Sequence, residues 1–201
     1  RALSHAVDKE LISAEVLSGL MVPAYGILPP GFPGYNVDLE GLRFDTELAK
    51  QLLSESRYAD IETRPDILIS IPGTGGGPTL SLEVVVEMWR QILGVEVDIQ
   101  QVEWATYLKD LNERKFQAFA GLGWEADYPD PQDILDILFH SESNTNHGGY
   151  SNPEVDVALE QARIETDISE RIKLYHEAEK IIVEDAALLP MWFGGQGYVL
   201  V

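Results

Sequence analysis

The chain has 201 residues, 45% hydrophobic and 24% charged, which suffices for one large domain or two small ones around a sizeable core. Its 34 acidic against 14 basic residues leave a formal net charge of −20, a surface that repels nucleic acid and anionic lipid headgroups at long range. Cysteine is absent, which removes disulfides, thiolate zinc sites and thiol nucleophiles, and no apolar run approaches the ~20 residues that span a bilayer.

The first element predicted is a helix over 2–17, with Leu3, Ala6, Val7, Leu11, Ile12 and Val16 near helical spacing. It begins without Met and without a signal-peptide pattern, so the chain reads as a piece of something longer whose targeting segment lies upstream. Pro23 to Gly34 is rich in proline and glycine and predicts a turn-rich loop. A second helix follows Asp45 as N-cap, with Phe44 before it and Leu48, Ala49, Leu52 and Leu53 on one face. Ile67 to Ile71 reads as a buried strand ending in the glycines of 73–77, and Leu82 to Leu93 as an amphipathic helix closed by Gly94. Val95, Val97 and Ile99 alternate with polar residues in a half-exposed strand, Trp104 to Leu111 predicts a short helix, and Phe116 to Trp124 a third strand. Helix resumes from Pro131 through Ile134, Leu135 and Leu138. Asn152-Pro153 and then Asp167 with Glu170 mark the starts of two late helices, and 188–201 is apolar and β-prone. Strands alternating with helices predict one α/β domain with a mixed, mostly parallel sheet flanked by helices.

Three features bear on chemistry. The glycine run Gly73–Gly77 sits where phosphate loops sit, but it continues Gly-Pro-Thr where the Walker pattern needs Gly-Lys-Ser/Thr, so it reads as a strand-to-helix connection. His5, His140, His147 and His176 lack a third ligand at helical spacing even where Asp136 and His140 share a face, so they read as solvated, with no metal. The acidic segment from Trp124 is the most informative. Asp127, Asp130, Asp133 and Asp136 recur every three residues, without the alternation and central glycine of a calcium loop. Asp130 and Asp133 read as helix caps or solvated groups. Asp127, beside Trp124 and Tyr128 at the end of an apolar strand, borders a crevice.

Gly123-Trp124-Glu125-Ala126-Asp127-Tyr128-Pro129-Asp130-Pro131 resembles the Gly-Trp-x-Ala-Asp-Tyr-x-x-Pro stretch of the family 5 bacterial solute-binding proteins, which serve ABC importers. The likeness runs in order along nearly the whole chain. It includes Arg1–Ser4 with Val7-Asp8-Lys9, Pro23–Gly26 with Pro29-Pro30, Phe44-Asp45, Ala49–Leu53, Leu93–Val97, Tyr150–Asp156, and Asp167 through Arg171 to Tyr175. The resemblance implies one lobe, residues 1–201, of a two-lobed protein with a type II periplasmic-binding-protein-like fold. It corresponds to the more C-terminal lobe (lobe II), and the rest of the polypeptide would supply the other lobe. The implied role is that of a non-enzymatic, extracytoplasmic binding component, periplasmic or lipid-anchored. It would hold di- to oligopeptides between the lobes and deliver them to permease subunits, without a cofactor. In that picture Asp127 pairs with the ligand's α-ammonium, Gly123 and Glu125 pair through their main chain, and Trp124 and Tyr128 form apolar walls. An oligosaccharide or another small solute is the alternative ligand. A hydrolase using Asp127 with a second carboxylate is the alternative from another class.

Overall fold

The computed structural model describes residues 1–73 and 75–194. The first predicted helix is divided. α1 (Ala2–His5) stops at Ala6, and Asp8 starts α2 (Lys9–Leu11) by accepting from the Leu11 amide at 2.9 Å, after which a π-helical turn (Ile12–Val16) follows. An Asx residue competes for main-chain donors and so restarts a helix where hydrophobic spacing alone suggests a continuous one. β1 (Met21–Pro23) leads into the turn-rich loop, and Asp45 caps α3 (Thr46–Ser54) by accepting from the amides of Glu47 and Leu48. Between that loop and α3, Gly41 has φ +65°, and a Cβ there would collide with the Tyr25 carbonyl oxygen, so only glycine fits.

β2 (Ile67–Gly73) is the central strand of a three-stranded sheet, between β3 (Val97–Glu103) and β4 (Ala118–Phe119). α4 (Leu80–Leu93) crosses over to β3 (Val97–Glu103), which pairs parallel to β2 from Ile67↔Val97 to Gly73↔Glu103. Gly94 closes α4 in the left-handed conformation at φ 60°, and Arg64 donates to the Leu93 and Gly94 carbonyls left open there. α5 (Trp104–Asn112) returns to β4, also parallel to β2. β4 covers only Ala118–Phe119, not the whole of 116–124. Pro72 on β2 has no N–H to extend the ladder, and Gly121, at φ +85° with its Cβ position 3.0 Å from Pro72 Cδ, turns the chain away. A buried cluster of Ile69, Ile71, Val85, Trp89 and Leu93 joins this sheet to α4, with Ala6, Val7, Ile12 and Ala49 completing it.

A second cluster is helical. A π-helical turn (Gln132–Asp136) runs into α6 (Ile137–Phe139), and both pack on α7 (Pro153–Ile164) and α8 (Ile168–Glu184). Leu135, Val155, Leu159, Ala162, Tyr175 and Ile182 are fully buried between them, and Leu28 from the turn-rich loop enters the same cluster. Asn152 and Asp167 cap α7 and α8 as expected. β5 (Trp192–Gly194) pairs antiparallel with β1, while the remainder of the β-prone 188–201 segment, from 195, lies outside the described residues.

The histidines are not the solvated groups expected. His5 and His140 are buried, and His147 and His176 are half-buried. Each of three makes a specific contact: His5 Nδ1 donates to the Arg43 carbonyl at 2.6 Å, His176 Nε2 to the Gly34 carbonyl at 3.0 Å, and His140 Nδ1 accepts from the Glu142 amide at 3.2 Å. Hydrogen bonds to main chain replace the water that a lone histidine would otherwise need.

Candidate ligand-binding site

Because β2, β3 and β4 are parallel, their carboxyl ends share one edge, and the loops leaving that edge are the glycine run after Gly73, the start of α5 at Trp104, and the segment from Ala120 to Pro131. In open α/β sheets ligands bind outside this edge. The segment starts from a fixed point. Ala120 donates its amide to the Ser70 carbonyl at 3.0 Å, and its own carbonyl accepts from the Tyr107 hydroxyl at 3.1 Å. Tyr107 is fully buried between Trp104 and Phe116, and burial pushes its phenol up to about 12, so it remains a hydrogen-bond donor.

Beyond Ala120 the chain leaves the sheet. Gly121 to Pro129 are all exposed, including the large apolar faces of Leu122, Trp124 and Tyr128. Among the described residues, the main-chain groups of Gly121 to Ala126 have no hydrogen-bond partner. The segment is pinned again at Asp127, whose amide donates to Asp133 Oδ2 at 3.1 Å, and the Trp124 indole Nε1 donates to the same oxygen at 3.1 Å. The Tyr128 hydroxyl donates to Gln132 Oε1. Thus Gly123, Trp124, Glu125, Asp127 and Tyr128, the residues singled out from sequence, form one contiguous exposed strip at the strand ends.

The four aspartates spaced by three residues have four different surroundings. Asp127 is exposed, and among the described residues its carboxylate has no partner. Asp130 does cap, accepting from the Gln132 amide at 2.9 Å, but it also forms a two-pronged pair with Arg171, both contacts at 2.8 Å. The Arg171 hydrogen bonds hold its carboxyl below the usual aspartate range. Asp133 is neither a cap nor solvated: it is fully buried, because the chain folds back over it to deliver two N–H donors. Asp136 is also buried and takes both prongs of Arg163 at 2.7 Å. The Tyr128 phenol is pushed up by desolvation and then by the field of these carboxylates.

Chemically the strip offers unpaired main-chain donors and acceptors, two aromatic faces and, among the described residues, two unpaired carboxylates, Glu125 and Asp127, which suit an extended, cation-bearing ligand. Among the described residues no three acidic or histidine side chains gather as metal ligands, and no helix is long and apolar enough to cross a membrane. A shallow, open groove of about 390 Å³ lies between α7 and α8, lined by Val157, Ala158 and Leu174 together with Glu154, Gln161 and Glu177. The anchoring partners Asp133 and Arg171 were missed from sequence, since neither lies at a spacing that links it to Trp124 or to Asp130.

Residues 1–146 match the model of a family described as bacterial extracellular solute-binding proteins, family 5, middle region. The chain is 29% identical to the oligopeptide-binding protein OppA of Bacillus subtilis, over 96% of this chain and 36% of that protein. It is 34% identical to the heme-binding protein A of Haemophilus influenzae, over 95% of this chain and 35% of that protein. It also superposes on a dipeptide-binding protein from Pseudoalteromonas crystallised with Met-Leu, with a TM-score of 0.81 and 31% identity over 96% of this chain and 38% of that one. The chain therefore spans about a third of the length of the relatives it matches.

Proposed function

Since this chain belongs to the family 5 bacterial extracellular solute-binding proteins, we propose that it is one lobe of a two-lobed, extracytoplasmic binding component of an ABC importer for peptides. Residues 1–201 supply one wall of the cleft, and the rest of the polypeptide supplies the other. The observation that carries the peptide reading is the Gly121–Ala126 main chain, exposed and unpaired at the end of β4 and leading directly to the unpaired Asp127 carboxylate. An extended peptide adds to such a run as another strand, with Gly123 and Glu125 exchanging main-chain hydrogen bonds. That is sequence-tolerant, since every peptide carries the same backbone. Asp127 receives the α-ammonium, and Trp124 and Tyr128 flank the first side chains. The other aspartates of the segment are occupied or buried, so Asp127 is the aspartate open to a ligand, with the exposed Glu125 beside it.

Relatives named as oligopeptide- and dipeptide-binding proteins support this reading. One relative carries the name heme-binding, which favours a non-peptide solute as the second reading. Calorimetric titration of the full-length polypeptide with di- to pentapeptides, repeated with N-acetylated peptides, separates these. Binding abolished by acetylation is expected, and binding unaffected by it removes Asp127 from the ammonium role. No heat from either set turns the assignment to a non-peptide solute. Asp127→Ala is expected to cost about 2–5 kcal/mol in peptide affinity, because it leaves a desolvated ligand charge unpaired.

A further inference from the structure

Asp133 is the one buried acid of the segment without a cationic partner among the described residues. Its side chain is fully buried in the first turn of the π-helical stretch and is followed in sequence by the buried Ile134 and Leu135. Oδ2 accepts from the Trp124 indole and from the Asp127 amide, both at 3.1 Å, while Oδ1 is buried with no partner among the described residues. A buried carboxylate with one empty oxygen is costly, and an apolar side chain would be the cheaper filling if support of the core were its only task. The directions of its two bonds show what the carboxylate does instead. Asp130 and Asp136 reach away to arginines of α8 and α7, whereas both Asp133 bonds return to the exposed strip, at the two residues on either side of Glu125-Ala126.

We propose that Asp133 is a positioning residue for the ligand. It clamps the Trp124 ring and the Asp127 main chain to one oxygen, and so holds the 124–127 arch in the shape that presents both the wall and the ammonium-binding carboxylate. This rests on the peptide reading given above. Trp124 has no other hydrogen bond among the described residues, and it is 40% exposed. Without the clamp, ring and arch must be ordered by the ligand at the moment of binding, which lowers affinity without altering a single ligand contact.

The test uses the full-length polypeptide and reads two things: the indole N–H resonance of Trp124, assigned with Trp124→Phe, and peptide affinity. Asp133→Asn keeps an acceptor oxygen and is expected to keep the indole resonance near its wild-type position and affinity within about threefold. Asp133→Leu is expected to move the resonance and weaken peptide binding roughly 10- to 100-fold while the fold, read by circular dichroism, persists. Unchanged affinity in folded Asp133→Leu overturns the proposal, and so does an equal loss in Asp133→Asn with the resonance unmoved. Should Asp133→Leu fail to fold, amide exchange of the unliganded wild type decides: protection of the Asp127 amide at least about tenfold above that of Ala126 supports the clamp, and equal exchange overturns it. If the wild type binds no peptide, the peptide reading fails, while the resonance and exchange measurements still judge the clamp.

Discussion

The pairing of Arg171 with Asp130 ties the site segment to α8, and its strength follows from its surroundings. Arg171 makes two charge-assisted bonds to Asp130 at 2.8 Å, donates Nε to the Ala162 carbonyl at 2.9 Å and Nη2 to the Tyr175 hydroxyl at 3.1 Å, and lies 5.0 Å from the Tyr175 ring centre. Hydrogen bonds to charged groups contribute ~1.5–3 kcal/mol when shielded, and exposed ion pairs ~0.2–1 kcal/mol. With side chains 24% and 32% exposed the pair lies between these limits, so a coupling of about 1–2 kcal/mol is expected. Arg171→Met alone removes the Ala162 and Tyr175 bonds as well, and should cost about 2–4 kcal/mol. The assay is urea unfolding of the full-length wild type, Asp130→Asn, Arg171→Met and the double variant, taken as a double-mutant cycle near pH 7 and again at progressively lower pH. Arg171 depresses the Asp130 carboxyl below its ordinary 3.8 in the folded state. The stability it contributes is therefore present above that ordinary value and is lost as pH falls through the folded one. A coupling below about 0.3 kcal/mol near neutrality, or one that does not shrink in acid, refutes the reasoning.

Lys9 is fully buried, donates Nζ to the Ala24 carbonyl at 2.8 Å and lies over the Tyr25 ring, and burial, with the Arg43 charge second, lowers its ammonium from 10.5 to about 8. Its stability is thus greatest above 10.5 and falls as pH drops through about 8, so thermal melts of the wild type against Lys9→Met should diverge over that interval by on the order of 3 kcal/mol; parallel curves would show the amine to be solvated. Glu179 is buried with Oε1 accepting from the Ile27 and Leu28 amides, and desolvation raises its carboxyl above the ordinary 4.5. A raised acid stabilises most below its unfolded value and loses that contribution as pH climbs through the folded one, so Glu179→Gln should gain on the wild type in melts as pH rises above the ordinary 4.5, and a constant difference would exclude a titrating Glu179. Gly41→Ala, forced to φ +65° against the Tyr25 carbonyl, should lose more than about 1 kcal/mol in urea unfolding, and a neutral result would contradict the loop geometry.

The caps were legible in the sequence because their chemistry is local. Asp45, Asn152 and Asp167 each accept from amides two or three residues ahead, and Gly94 supplies a left-handed residue directly after its helix. The parallel sheet was legible for a similar reason, since two β-rich runs separated by one amphipathic helix leave few other arrangements. What escaped depended on distant chain. β4 ends early because Pro72, on a different strand, has no amide to share with it, and nothing within 116–124 announces that. His5 and His176 are held by carbonyls remote in sequence, those of Arg43 and Gly34, so composition around each ring does not announce the contact it makes.

The acidic segment shows the same division at the site itself. Its exposed members could be singled out by residue type, because a tryptophan, a tyrosine and an aspartate following an apolar strand suit a crevice. The threefold spacing of its aspartates carried no such information. Each aspartate takes its meaning from what arrives opposite: Arg171, 41 residues on, for Asp130, and Arg163, 27 residues on, for Asp136. Asp133 takes its meaning from the segment's own indole and amide folded back over it. Only Asp133 and Asp136 lie within the helical turn, while Asp127 and Asp130 precede it, so four identical residues meet four different environments. Only Asp127, before the turn begins, is left with its carboxylate unmatched. In a chain of net charge −20, one unmatched carboxylate distinguishes itself by its position at the strand ends and not by its charge.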